Sequence, residues 1–158
     1  MTQNEPKALS RILVPLDGSK LAECAMTHVK TMVQEGFARE VTLLSVVHVD
    51  APYSELYGAH FDINRMKKAY VDAARKYLED LQARLGNEGI TVKAEVVAHK
   101  KPAPAVTDYA AKNGIDLIVI ATHGYTGLKK LVLGSVALSI LQDSHVPVLL
   151  IRPEACRL

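Results

Sequence analysis

Ile115-Asp116-Leu117-Ile118-Val119-Ile120-Ala121 is the most apolar strand candidate in the chain, and it runs directly into Thr122-His123-Gly124. Two further runs share its character: Ile12-Leu13-Val14-Pro15-Leu16, and Val41 to Val49, which is rich in β-branched residues. They are too short for typical helices and are apolar on successive positions rather than alternate ones. Strands of that kind are covered on both faces, the habit of a parallel sheet lying between two layers of helices.

Working outward, helical and strand patterns alternate along the whole chain. Asp17-Gly18-Ser19 closes the first strand with a turn and helix-start signal. Leu21, Ala25, Met26, Val29, Met32 and Val33 then fall on one helical stripe, with Gly36 as its stop. After Val49, Asp50 to Asn64 contains Pro52, Gly58, Tyr53, Tyr57 and Phe61 and reads as a loop of about 15 residues, a length that usually carries function or mobility. Helical period returns from Met66 to Leu85 and ends at Gly86-Asn87. Thr91 to Ala98 is the third strand, and Pro104 to Lys112 is a short helix stopped by Asn113-Gly114. Beyond the opening stretch, Gly124 to Gly134 reads as a loop, Ser135 to Gln142 as a helix and Val146 to Ile151 as the last strand. The order β-α-β-α-β-α-β-α-β predicts a parallel sheet with right-handed crossovers and helices on both faces. No linker or internal repeat divides the chain. One α/β domain over residues 1–158 is expected, with residues 1–9 as a flexible N-terminus.

Composition removes several function classes. Lys plus Arg number 19 against 17 Asp plus Glu, a formal charge of +2. That balance argues against a dedicated nucleic-acid binder, which shows a basic face and a pI above about 9. With 49% hydrophobic residues the chain is too apolar for disorder. Its longest apolar runs are about five residues, against roughly 18 for a membrane span, so no membrane partner is expected. Met1 to Ser10 is polar and lacks the apolar core of a signal peptide. Cys24 and Cys156 lie far apart, with no CxxC and no metal-ligand spacing. A disulfide between them is one reading; two thiols in a reducing cytosol is the favoured one, giving a cytoplasmic protein.

In open parallel sheets, ligands bind beyond the carboxyl ends of the strands, near the point where strand order reverses. Three segments therefore matter: Asp17-Gly18-Ser19, Val46 to Asp50, and Ala121-Thr122-His123-Gly124 with the later Gly134-Ser135. Gly124 lets backbone N–H groups approach an anion closely. Gly134-Ser135 opens a helix whose unsatisfied N–H groups and dipole favour phosphate. Ser135 adds a hydroxyl donor, or serves only as an N-cap worth about 1 kcal/mol. Lys129 and Lys130 stand in the intervening loop. On spacing alone, phosphate binding and plain chain reversal by glycine are equal readings. Asp17 is an acceptor for ribose hydroxyls or the adenine amino group, or else the N-cap of the next helix, which is the favoured reading taken by itself. Neither GxxxxGK(S/T) nor a GxGxxG after the first strand is present.

The run Ile118-Val119-Ile120-Ala121-Thr122-His123-Gly124-Tyr125-Thr126-Gly127-Leu128-Lys129-Lys130-Leu131-Val132-Leu133-Gly134-Ser135-Val136 resembles the signature of the universal stress protein family. That signature is glycine, two residues, glycine, nine residues, then glycine with serine or threonine. The opening Ile12-Leu13-Val14-Pro15-Leu16-Asp17-Gly18-Ser19 and the closing Val146-Pro147-Val148-Leu149-Leu150-Ile151-Arg152 are similar to that family too, and the likeness covers nearly the whole chain. The resemblance implies a doubly wound α/β domain with a five-stranded parallel sheet of order 3-2-1-4-5. It implies a homodimer paired through the last strand, Val146 to Ile151. It also implies ATP, or ADP or AMP, with or without magnesium, held between the ends of the first and fourth strands. Carried over by position, Pro15, Leu16 and Asp17, with the backbone around Val46, would flank the adenine and ribose. Ile120 and Ala121 would lie along the ribose, and Thr122, His123, Gly124, Gly134, Ser135 and Val136 would hold the phosphates. Two departures stand out. Ala121 replaces the first signature glycine, which costs little at negative φ and roughly 1–2 kcal/mol at positive φ. After the third strand, where the family often has a glycine and one proline, this chain reads His99-Lys100-Lys101-Pro102-Ala103-Pro104, and the two lysines are expected to face solvent.

Catalysis has less support. None of His28, His48, His60, His99, His123 and His145 forms an HxxxH or HExxH pair, so no metal site is expected. His123 would donate to a phosphate oxygen or, as the lesser reading, assist hydrolysis. No G-x-S-x-G elbow follows a strand, and Cys24 belongs to an apolar helical stripe, as core rather than nucleophile. No catalytic residue is assigned. The expectation is a nucleotide-binding stress-response protein that senses or regulates through a dimer and an unknown protein partner, with at most weak ATP hydrolysis. Its rivals are a slow ATPase or phosphotransferase using His123 and a divalent ion, and a nucleotide-free dimeric interaction module.

Overall fold

The computed structural model describes residues 9–48, 62–122 and 133–152. Their elements follow in the order β1 (Arg11–Pro15), α1 (Lys20–Glu23), α2 (Ala25–Gln34), β2 (Glu40–Val47), α3 (Ile63–Asn87), β3 (Lys93–Ala98), α4 (Pro102–Lys112), β4 (Leu117–Ala121), α5 (Ser135–Asp143) and β5 (Val148–Ile151). The strands form a five-stranded parallel sheet in the order β3-β2-β1-β4-β5, as expected.

Successive residues of a strand point to opposite faces, so a run of apolar residues feeds two cores at once. Ile12 and Val14 of β1, Leu43 of β2 and Val119 of β4 pack on one face with Met26 and Val29 of α2 and Leu78, Leu81 and Leu85 of α3. Leu13, Leu44, Ile118 and Ile120 take the other face, against Val106 and Ala110 of α4 and Ala137 and Ile140 of α5. All five residues of β4 are buried, which is why this stretch is the most apolar in the chain.

Several boundaries differ from the sequence expectation, most of them for a local reason. The helix expected from Leu21 to Val33 is divided at Cys24. There the Cys24 amide bonds to the Leu21 carbonyl and the Thr27 amide to the Cys24 carbonyl, three residues back in each case and at 3.3 Å, a tightened turn. Cys24 is buried, as expected of a core residue, but it is disulfide-bonded rather than a free thiol. Cys156 lies outside the described residues. β4 starts at Leu117, not Ile115, because the Asp116 carboxylate accepts from the Arg11 amide at 3.1 Å and turns the chain ahead of the strand. β5 starts at Val148, not Val146: Ser144 Oγ bonds both the carbonyl and the amide of Val146 and keeps it in a turn. β3 starts at Lys93. α4 starts at Pro102, in the first turn where proline leaves no hydrogen bond unmade. α3 starts at Ile63, because Asp62 caps it by accepting from the Arg65 amide at 3.0 Å. The remainder of the expected 50–64 loop, and the expected flexible N-terminus apart from Leu9, lie outside the described residues.

The lengths of the ladders position the site. β1 pairs with β2 from Arg11 to Pro15, and β4 pairs with β5 from Ile118 to Ala121. Between β1 and β4, however, only Ile12 with Leu117 and Leu13 with Ile118 are in register. Beyond them the two central strands part. Leu16 donates its amide to Leu44 of β2 at 2.8 Å, so the amide position before it faces β4, and that position is Pro15, which has no N–H. The strand order reverses at this same place. Ala121 is the last residue of β4, in register with Ile151. Its backbone is extended, and an alanine in place of the signature glycine carries no left-handed strain.

Candidate functional site

A cavity of about 280 Å³ opens where β1 and β4 part. One wall is the end of β1 and the turn after it, with Pro15, Leu16, Asp17 and Ala22 of α1. Leu44 and Val46 of β2 and Pro102 and Val106 of α4 line its apolar end. Ile120, Ala121 and Thr122 continue along β4 to Gly134, Ser135, Val136 and Ala137 at the start of α5. Every ligand residue expected from the sequence that the structure describes lines this one cavity. His123 and Gly124, like Lys129 and Lys130, lie outside the described residues. The residues not foreseen are Ala22, Leu44, Pro102, Val106 and Ala137. Leu44 was legible, since it stands two residues before Val46 and shares its face of β2. Pro102 and Val106 are one helical turn apart, but nothing in their spacing says that α4 reaches over to this crevice.

Two polar groups give the cavity a direction. At its β1 lip, Asp17 Oδ1 accepts from the Ser19 amide at 2.9 Å and from Ser19 Oγ at 2.6 Å. Ser19 Oγ in turn accepts from the Ala22 amide at 3.0 Å. The N-cap of α1 is therefore Ser19, not Asp17, and Asp17 is the exposed acceptor that holds the cap in place. At the other end, the N-cap of α5 is Gly134, and Ser135 is the first helical residue rather than the cap. The Gly134 amide donates to the Thr122 carbonyl and the Thr122 amide to the Ile151 carbonyl, both at 2.8 Å. These bonds tie the start of α5 to the end of β4 and bring its first turn to the cavity. Among the described residues, no side chain caps that turn. The first amides of a helix have no partner within it, and the dipole adds positive charge there. The arrangement offers an apolar slot for a flat group, a carboxylate at one lip and an anion-seeking helix start at the other end. Among the described residues, no three His, Cys, Asp or Glu side chains converge on a metal-sized site, and no helix is long and apolar enough to cross a membrane.

A parallel sheet wound in both directions, with its crevice at the reversal of strand order, defines a doubly wound α/β protein. The model of the universal stress protein family matches residues 9–152, and the chain belongs to that family. It is 30% identical over 155 residues to the universal stress protein MJ0577 of Methanocaldococcus jannaschii, covering 90% of this chain and 94% of the relative. A solved structure of MJ0577 matches with a TM-score of 0.75 at 31% identity, covering 92% of this chain and 96% of the other. Universal stress protein YxiE of Bacillus subtilis is 29% identical, covering 90% and 99% of the two chains. A family protein of Arabidopsis thaliana, solved with AMP bound, has a TM-score of 0.61 at 17% identity over 90% and 91%, a likeness of fold.

The α1 wall is backed by α3. Burial, and then the Glu23 carboxylate at hydrogen-bond distance, hold the Tyr77 phenol above the usual tyrosine range. A group whose folded pKa exceeds its unfolded value near 10 contributes stability that is complete below about pH 10 and is lost as pH rises beyond it. Urea unfolding at about pH 9 and pH 11 checks this. The wild type is expected to lose more stability across that interval than Tyr77→Phe does, and equal losses would contradict the assignment.

Proposed function

We propose that this chain binds an adenine nucleotide, ATP or its relatives ADP and AMP, in the crevice between β1 and β4. In this reading it acts as a stress-response sensor or regulator, as a homodimer and as one domain over residues 1–158. The observation that carries the reading is the first turn of α5, capped by no described side chain, at the end of an apolar slot where strand order reverses. An adenine is flat and mostly apolar on its faces, and a phosphate matches free helix amides. Pro15, Leu16 and Val46 would flank the base. Asp17 would accept from the ribose or the base amino group, with Ile120 and Ala121 along the ribose. Thr122, Gly134, Ser135 and Val136 would hold the phosphates, together with His123 and Gly124. Magnesium, where present, would arrive with a triphosphate. Membership of the family supports the same ligand class, and one structural neighbour carries AMP. Adenine nucleotides are concentrated in the cytoplasm, the location that this reading assigns. There the Cys24 disulfide would meet a reducing thiol pool.

The dimer part of the reading rests on the edge of the sheet. β5 is its last strand, and Val148, Leu149 and Leu150 are only half-buried. Leu138 and Leu141 of α5 are 41% and 45% exposed. An apolar edge strand invites pairing with another chain unless it is covered. The helix that would meet phosphate with its first turn therefore also presents leucines along its length, so ligand and subunit contact share one element. Sedimentation at micromolar concentration should give twice the mass of the chain, and a monomer would contradict the dimer.

Gly134→Asp tests the site. The Gly134 backbone, at φ −59° and ψ 147°, suits an aspartate N-cap, which stabilises a helix by about 0.5–2 kcal/mol relative to alanine. The variant should fold normally while its carboxylate occupies the free amides and repels phosphate. Equilibrium dialysis with labelled ATP is expected to show binding to the wild type and none to the variant, whereas equal retention by both would sink the proposed phosphate site.

A further inference from the structure

The contacts that hold the β1 wall of the cavity continue beyond it. α1 is one turn of four residues, too short to be stable as an isolated helix, so its placement depends on what grips its ends. At its start, Ser19 accepts from the Ala22 and Glu23 amides through Oγ and its carbonyl, at 3.0 and 3.2 Å, and donates to Asp17. At its end, the Glu23 carboxylate receives donors from α3. Tyr77 Oη donates to Oε1 at 3.2 Å and Arg84 Nη2 to Oε2 at 2.9 Å. Tyr77 and Arg84 stand two turns apart on one face of α3, a helix anchored on the sheet by Leu78, Leu81 and Leu85. The Glu23 side chain is 24% exposed and Arg84 is 61% exposed. The ion pair on the solvent side therefore adds little stability, while the more sheltered bond from Tyr77 is charge-assisted and directional.

We propose that Glu23, clamped by Tyr77 and Arg84, is a positioning residue for ligand binding. It sets α1 so that Ala22, and through Ser19 the Asp17 carboxylate, stand at the base and ribose end of the cavity. The inference rests on the nucleotide reading above and deepens it. None of the three clamp residues lines the cavity. The clamp also lies at the opposite end of the cavity from the α5 turn, so base-end and phosphate-end affinities should respond differently when it is cut. The disulfide at Cys24, the residue after Glu23, leaves α1 a second tether, so clamp variants should remain folded.

The test uses the full chain, with AMP and inorganic tripolyphosphate as calorimetric probes. Tyr77→Phe and Glu23→Ala should weaken AMP about 3- to 10-fold while leaving tripolyphosphate affinity unchanged, a coupling size usual within one hydrogen-bond network. Glu23→Gln should lose less than Glu23→Ala, because its amide oxygen still accepts from Tyr77. Adding Asp17→Asn to Glu23→Ala should cost less than the sum of the two single losses. Unchanged AMP affinity in folded variants, strict additivity, or an equal loss for tripolyphosphate would each overturn the proposal. If the wild type binds no AMP, the nucleotide reading fails on its own account, and hydrogen exchange at the Ala22 amide decides the positioning role. Faster exchange in Glu23→Ala supports the clamp, and unchanged exchange removes it.

Discussion

A parallel sheet is held together by ladders on both sides of every interior strand, and β1 gives up half of one. Leaving a buried donor or acceptor unpaired costs about 1–3 kcal/mol, so central strands do not separate without a device that lowers the loss. Pro15 is that device: on the side facing β4 it has no donor to leave unpaired. On the other side, the Leu16 amide is satisfied by Leu44. β4 is likewise secured on its outer side, where Thr122 donates to Ile151. Each strand stays anchored away from the gap, and the gap opens between them. The Thr122 carbonyl takes the Gly134 amide, which fixes where α5 begins relative to the end of β4.

The two ends of the resulting cavity differ in how they are built. The α5 end consists of backbone amides on a helix whose Ala137 and Ile140 are buried in one core, and it keeps its chemistry through most side-chain changes. The β1 end depends on side chains: Asp17 on Ser19, Ser19 on the Ala22 amide, and Glu23 on α3. A nucleotide bound as proposed would meet backbone amides with its phosphates and a wall held by side chains with its base and ribose. The helix that supplies those amides also carries the exposed Leu138 and Leu141, so in the proposed dimer ligand and subunit contact would share one element.

Much of this was legible in the sequence because burial on both faces leaves a strong signature. Ile12 to Leu16 and Leu117 to Ala121 had no polar face to offer solvent, and the alternation with helical stripes implied a parallel sheet. The residues expected to meet a ligand followed from the family resemblance, and those of them that the structure describes line one cavity. What the sequence did not carry was relative placement. The α1–α2 division at Cys24 lies inside an unbroken apolar stripe. α4 reaches the crevice with Pro102 and Val106, whose spacing says only that they share a face. Asp17 lost the cap role to Ser19 because a cap must bond an amide within the first turn of the helix: Ser19 Oγ takes the Ala22 amide, whereas Asp17 reaches only Ser19 itself. The free-thiol reading of Cys24 came from cysteine usage alone, which holds no information on whether two distant positions meet.

Calorimetric titration of nucleotide-stripped protein with ATP, with and without magnesium, asks whether the gap between β1 and β4 takes a nucleotide. Saturable binding of about one nucleotide per chain is expected. An absence of heat and of saturation up to millimolar ATP, in folded protein, would contradict it.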